Sequence, residues 1–204
     1  KLKNAPVYFT IAQVRFSPVL SLKTYMPEIQ EHMRKAGYPD FNQGFTLAFN
    51  LALITGGEQQ GAAPPIPLPA ERYVFSNMEN TSGFILQQNA LSFQTTDYDD
   101  YKNLSSEFLK GLESVHKGVV LNFSERIGIR YLDAVYPKEG GDLSQYLVKQ
   151  VLGISKLLEG SEIVHSFSET VVEFKDIGKV VSRTILQNKK LGFPPDLQPD
   201  GLKL

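Results

Sequence analysis

The chain has 204 residues, of which 42% are hydrophobic and 21% charged, with a formal net charge of −1. These values are ordinary for one globular domain or two small ones, and they exclude a global electrostatic drive toward nucleic acid or anionic membrane. The absence of cysteine excludes disulfides, thiolate nucleophiles, zinc fingers and iron–sulfur clusters.

The N-terminal residues KLKNAPVYFTIAQVRF lack the long apolar run of a signal peptide. No window approaches the roughly 18 uninterrupted apolar residues of a membrane span. A cytoplasmic protein without a membrane partner is expected. Because the chain begins at Lys1 rather than Met, it is expected to be a piece of a longer product.

Residues 6–19, PVYFTIAQVRFSPV, alternate as a strand, with Val7, Phe9 and Ile11 on one face. The apolar parity then moves to Val14 and Phe16, which predicts a bulge near Ala12–Gln13. Over 22–36 the period changes. Leu22, Tyr25, Met26, Ile29 and Met33 recur at helical spacing, Pro27 suits an early helical position, and Gly37 with Pro39 provides the stop. Residues 41–55 return to alternation through Phe41, Phe45, Leu47, Phe49, Leu51 and Leu53 and read as a long strand.

The segment 56–71, GGEQQGAAPPIPLPAE, has too many prolines and glycines for a helix or a central strand and reads as a surface loop. A short strand is expected at 72–77, and a hairpin at 83–98 turning at Asn89–Ala90, since Asn tolerates a left-handed backbone. One parity of this hairpin carries Gln87, Ser92, Gln94 and Thr96, so one side of the sheet faces water or a polar ligand. Asp97, Asp99 and Asp100 crowd the start of a second helix, where negative charge suits the dipole. Its apolar stripe is Tyr101, Leu104, Phe108, Leu112 and Val115, and Gly118 ends it.

A strand follows in SERIGIRYLDAVYP, 124–137. Asp142 or Ser144 then caps a third helix running through about Leu158. Two strands, SEIVHSFSETVVEF and GKVVSRTILQN, are joined by KDIG. From Leu191 the three prolines and two glycines of LGFPPDLQPDGLKL read as an extended tail or linker. The predicted class is α+β, mostly antiparallel twisted sheet with about three amphipathic helices packed on one side. A single domain over 1–190 is expected, with two similar halves, about 1–118 and 119–190, as a variant of that organisation.

Catalytic motifs are absent: there is no GxGxxG opening a helix, no GxxxxGK[ST], no GxSxG and no HExxH. No cofactor, metal site or catalytic residue is expected. His32, His116 and His165 are not paired at metal-ligand spacing, and His32 and His116 sit late in helices, where a cation is favoured anyway. Glu169 and Glu173 share a parity with His165, and Glu162 lies in the same strand region. That group could do acid–base work or lie on a solvated face.

SERIGIRYLDAVYP carries the strongest candidate. Ile127, Ile129 and Tyr131 take one face of what otherwise reads as a buried strand. Arg126 and Arg130 take the other, about 13 Å apart by strand rise, with Gly128 leaving the space between them open. Arg15 adds a third cation, depending on the bulge. If this parity coincides with that of Gln87 and Gln94, the sheet presents a polar, cation-bearing surface suited to phosphate or carboxylate. An open solvated face, or ion pairs with Glu125 or Asp133, explains the same arginines without a ligand and is the preferred explanation; a binding face is the alternative.

NAPVYFTIAQVRFSP and SERIGIRYLDAVYP resemble a sporadically distributed, laterally transferred family of uncharacterised bacterial and archaeal proteins. The resemblance rests on Ala5, Pro6, Arg15 and Phe16, then Arg126, Gly128, Arg130 and Tyr131. Where the family often has Asn two residues after the Tyr, this chain has Asp133. The resemblance implies no particular activity; its sporadic spread is associated with mobile-element or defence genes.

The expected function is a non-catalytic binding or assembly protein, forming homo-oligomers or binding another protein through exposed strand edges. The alternative is an enzyme or sensor that holds a phosphorylated or carboxylated small molecule through Arg126, Arg130, Arg15, Gln87 and Gln94. Nucleic-acid binding is a weaker third reading, because the Tyr and Phe residues occupy core parities.

Overall fold

The computed structural model describes residues 6–47, 69–137, 142–152 and 164–187, with Phe193, Pro199 and Leu202. The class is α+β with antiparallel sheets. The chain divides into two compact units, Lys1–Asp133 with Gln198–Leu204, and Ala134–Leu197.

In the first unit the described elements are β1 (Val7–Phe16), α1 (Leu22–Lys35), β2 (Asp40–Leu47), β3 (Pro69–Ser76), β4 (Ser82–Gln87), β5 (Ala90–Thr95), α2 (Tyr101–Gly118) and β6 (Ser124–Asp133). The strands form one six-stranded sheet in the order β2-β3-β4-β5-β1-β6, and every pairing is antiparallel. Strand β1 is internal, held by β5 on one side and by the edge strand β6 on the other.

One face of this sheet makes the core. Ala12, Val14 and Phe16 of β1, Tyr73 and Phe75 of β3, Phe84 and Leu86 of β4, and Leu91 and Phe93 of β5 meet the buried stripes of both helices. Each fully buried large apolar side chain contributes about 1.5–3 kcal/mol. The stripe of α1 is Leu22, Met26, Ile29 and Met33, and that of α2 includes Leu104, Phe108 and Val115. Both follow the helical period read from the sequence. Pro27 lies in the second turn of α1 rather than at its start.

The helix ends follow their capping chemistry. Gly37, at φ +101°, lets its own N–H bond to the Arg34 carbonyl and the Tyr38 N–H to that of Met33, the paired C-terminal closure that glycine permits. The Asp100 carboxylate accepts the Asn103 N–H at 2.8 Å, and Asp99 accepts the Asn103 side-chain amide at 2.9 Å. The acidic cluster therefore starts α2 as expected.

Several local expectations are corrected. Strand β1 has no bulge at Ala12–Gln13: its register with β5 is unbroken from Thr10 to Arg15. Its pairing with β6 shifts instead between Val7 and Phe9 and between Arg15 and Phe16. The apparent phase slip arose because Ala12 is a small core residue and Ile11 faces the other side. The β4–β5 turn is Gln88–Asn89, with Gln87 opposite Ala90, and Asn89 is not among the residues of positive φ. Strand β3 begins at Pro69, inside the segment expected to be loop. The remainder of that loop and residues 48–55 lie outside the described residues.

The second unit contains a 3-10 turn at Leu143–Gln145, α3 (Lys149–Leu152), and β7 (His165–Phe174) paired with β8 (Gly178–Gln187) in a two-stranded sheet. The Asp142 carboxylate accepts the Ser144 N–H, which is the expected cap. The helix is interrupted after the 3-10 turn and resumes at Lys149; 153–158, Glu162 and most of the tail lie outside the described residues. Among the described residues no helix is long and apolar enough to cross a membrane.

Candidate binding surfaces

Directly opposed residues in a sheet project from the same face, so the registers order the polar side chains into rows. One row crosses the sheet through Gln87 of β4, Ala90 of β5, Arg15 of β1 and Arg126 of β6. The next runs through Ile85, Ser92, Gln13 and Gly128, and the third through Gly83, Gln94, Ile11 and Arg130. Arg15, Arg126, Arg130, Gln87 and Gln94 therefore share one face, opposite the helices. The two parities suspected of coinciding do coincide.

That face is closed at its centre and open at its β1–β6 margin. Gln94 is fully buried and Ser92 nearly so, and Gln13 Nε2 donates to Ser92 Oγ at 2.8 Å. Arg15, Arg126 and Arg130 are exposed and Gln87 is half-buried. Gln94 is thus a component of the closed centre, not of the open margin. A Cβ built on Gly128 would meet nothing within 4 Å, so the space between Arg126 and Arg130 is open, as its position suggested.

Neither Glu125 nor Asp133 pairs with these arginines. Glu125 lies at the register shift between Ser124 and Arg126 and has no cross-strand partner on β1. Desolvation pushes the Asp133 carboxyl above its ordinary 3.8, the reverse of what a guanidinium neighbour would do. At the β1–β6 margin the described strand positions of this face carry Arg15, Arg126 and Arg130. The margin is cationic in a chain whose net charge is −1.

On the helix side, β6 departs from expectation. Ile127 continues the Val14 row and Ile129 the Ala12 row, yet Ile127 is 63% and Ile129 42% exposed. The strand is not buried because it is the last of its sheet and the core ends at β1. Beside it, Val14, Phe16, Leu109, Leu112, Leu121 and Phe123 line a groove of about 480 Å³, with Glu113 and His116 at its rim. His116 Nδ1 accepts the Leu121 N–H at 3.2 Å. Its hydrogen bond with Lys117 holds Glu113 below the usual carboxylate range. The groove is not legible from local pattern, because Leu109 and Phe123 fall outside the stripes that form the core.

In the second unit, β7–β8 is a ribbon exposed on both faces. One face pairs Phe167 with Ile185 and Val171 with Val181, alternating with Glu169–Arg183 and Glu173–Lys179. The other pairs Val172 with Val180 and places Phe174 opposite Gly178. Phe167, Val171, Val172, Phe174, Val180, Val181 and Ile185 are all exposed. Arg183 Nε donates to Glu169 Oε2, and Lys179 lies 3.6 Å from Glu173. Glu169 and Glu173 do share a face with His165, and their cross-strand cations account for them without acid–base chemistry. Among the described residues no three metal-ligating side chains gather; His32 faces Glu28 at 3.8 Å.

No protein-family model matches the chain, and no curated protein matches it.

Proposed function

We propose that the protein is an assembly protein whose chains join through the β7–β8 ribbon, the partner being a second copy. The supporting observation is that ribbon's two open faces. A two-stranded sheet is marginal in water by itself, and here each face carries β-branched and aromatic residues that stay in solvent. Such a ribbon gains stability when another surface covers it.

A second copy fits on charge as well as on hydrophobicity. Strand β7 carries Glu169 and Glu173, and β8 carries Lys179 and Arg183. The ribbon is acidic along one strand and basic along the other, and these charges pair within it, so a second copy covers it without burying an unpaired charge. Among the described strands β6 pairs with β1 alone, so the same chain has a further sheet edge that suits a partner strand. The two segments that resemble the laterally transferred family fall in β1 and β6 of the other unit and indicate no chemistry.

The test is Val171→Glu, which puts a charge into the exposed apolar Val171–Val181 pair of the ribbon. Light scattering behind size exclusion should give a multiple of the chain mass for the parent and the monomer mass for the variant. A monomeric parent, or a variant with unchanged assembly, would contradict the proposal.

A further inference from the structure

We infer a second, independent site: the β1–β6 margin of the sheet binds a phosphate ester over Gly128, with Arg15 and Arg126 as its ligands. Four observations converge there. Arg15 and Arg126 are direct cross-strand partners, which puts their Cα atoms about 4.5–5.5 Å apart. Both are exposed, and among the described residues neither guanidinium has an ion pair or a side-chain hydrogen bond. Two like charges so placed repel each other unless an anion lies between them. The neighbouring position on β6 is a glycine with nothing within 4 Å of where its Cβ would be, which leaves a floor on which a ligand can rest.

The fourth observation is the surround. Gln13 stands opposite Gly128, and its amide is held by the hydrogen bond to Ser92. Arg130 flanks the same glycine on the far side. The bond to Ser92 turns the Gln13 donor toward β5, so an oxyanion over Gly128 would face the guanidinium donors along β6 and on Arg15. Planar guanidinium forks suit the oxygens of a phosphate better than a lysine's point charge does. The open margin is narrow, bounded by the buried row of Ala90, Ser92 and Gln94, which favours a small phosphorylated molecule over an extended polyanion.

The probe is inorganic phosphate, titrated into the assembled protein at low salt while backbone amides and arginine Nε–H groups are followed by NMR. Saturable shifts are expected at Gly128, Gln13, Arg15 and Arg126. Arg126→Ala should abolish them, and Arg126→Lys should weaken binding about tenfold by losing the fork. Gly128→Leu keeps every charge and its Cβ meets nothing within 4 Å, so it should retain the fold and block binding. If Gly128→Leu binds as the parent does, or if chloride at equal ionic strength gives the same shifts, the site is overturned. A single-stranded oligonucleotide that binds more tightly than phosphate and is lost with Arg126→Ala would also overturn it, by showing a polyanion surface instead.

Discussion

Arg15 on β1 and Arg126 on β6 face each other across an antiparallel pair, two cations on adjacent strands of one face. Opposed like charges on neighbouring strands are unfavourable by about 0.2–1 kcal/mol. Arg126→Glu turns that repulsion into attraction. At low salt and without phosphate it should raise the melting temperature of the first unit by about 1–3 °C. The gain should fade at high salt, because the pair is solvent-exposed. Thermal melts at two salt concentrations check this; an unchanged melting temperature at low salt would mean that the two side chains do not sense each other, and a lower one would contradict the repulsion.

Gly111 of α2 lies directly against a side chain of the sheet. A Cβ there would lie 2.1 Å from the Phe84 ring, and Phe84 is fully buried among Tyr38 and Phe93. Gly111→Ala should destabilise the protein by about 1–3 kcal/mol through overpacking, although alanine is the better helix former by about 1 kcal/mol. Urea denaturation measures the balance. A stabilised variant would show that α2 can move away from the sheet freely.

Tyr38 links the end of α1 to α2: its hydroxyl donates to Glu107 Oε2 at 2.7 Å. Burial first, and the Glu107 carboxylate second, push its pKa far above the ordinary 10.0. Tyr131 is pushed up to about 12, by desolvation and then by its hydrogen bond with Tyr98. Both groups stay protonated in the folded chain after the unfolded chain begins to lose protons near pH 10. Their contribution is intact below that pH and declines as pH rises beyond it. Stability should therefore fall steeply above about pH 10, and Tyr38→Phe should flatten the fall while costing about 1–2 kcal/mol at neutral pH. Denaturation curves across that range test both parts; an unchanged alkaline slope in the variant would contradict the assignment.

The turn of the β7–β8 ribbon depends on Gly178, whose φ is +142°. Gly178→Ala imposes strain of about 1–3 kcal/mol there. It should speed chymotryptic cleavage at Phe167 and Phe174, relative to sites in the first unit. Equal cleavage rates would show that the ribbon does not need this backbone conformation.

The helices and the parities of the strands were legible because they depend on local pattern. The α1 and α2 stripes, the Gly37 stop and the Asp100 cap all follow from residues a few positions apart. The single-face grouping of Arg15, Arg126, Arg130, Gln87 and Gln94 was legible only as a condition, since it depends on which strands are neighbours. Nothing local shows that β1 sits between β5 and β6. The same non-local fact explains the error at Ile127 and Ile129: alternation marks a strand, but only sheet order decides whether its apolar side is covered. The bulge was misplaced because alanine gives too weak an apolar signal at position 12. Gln94 looked like a surface ligand because polarity predicts exposure on average, and this glutamine is fully buried.

Hydrogen–deuterium exchange of the β7–β8 amides at low and high micromolar concentrations tests the assembly proposal most directly. If a second copy covers the ribbon, those amides should become protected as concentration rises, while protection in the first unit's core stays constant. Ribbon amides that exchange freely at every concentration, or are equally protected at every concentration down to the monomer, would contradict it.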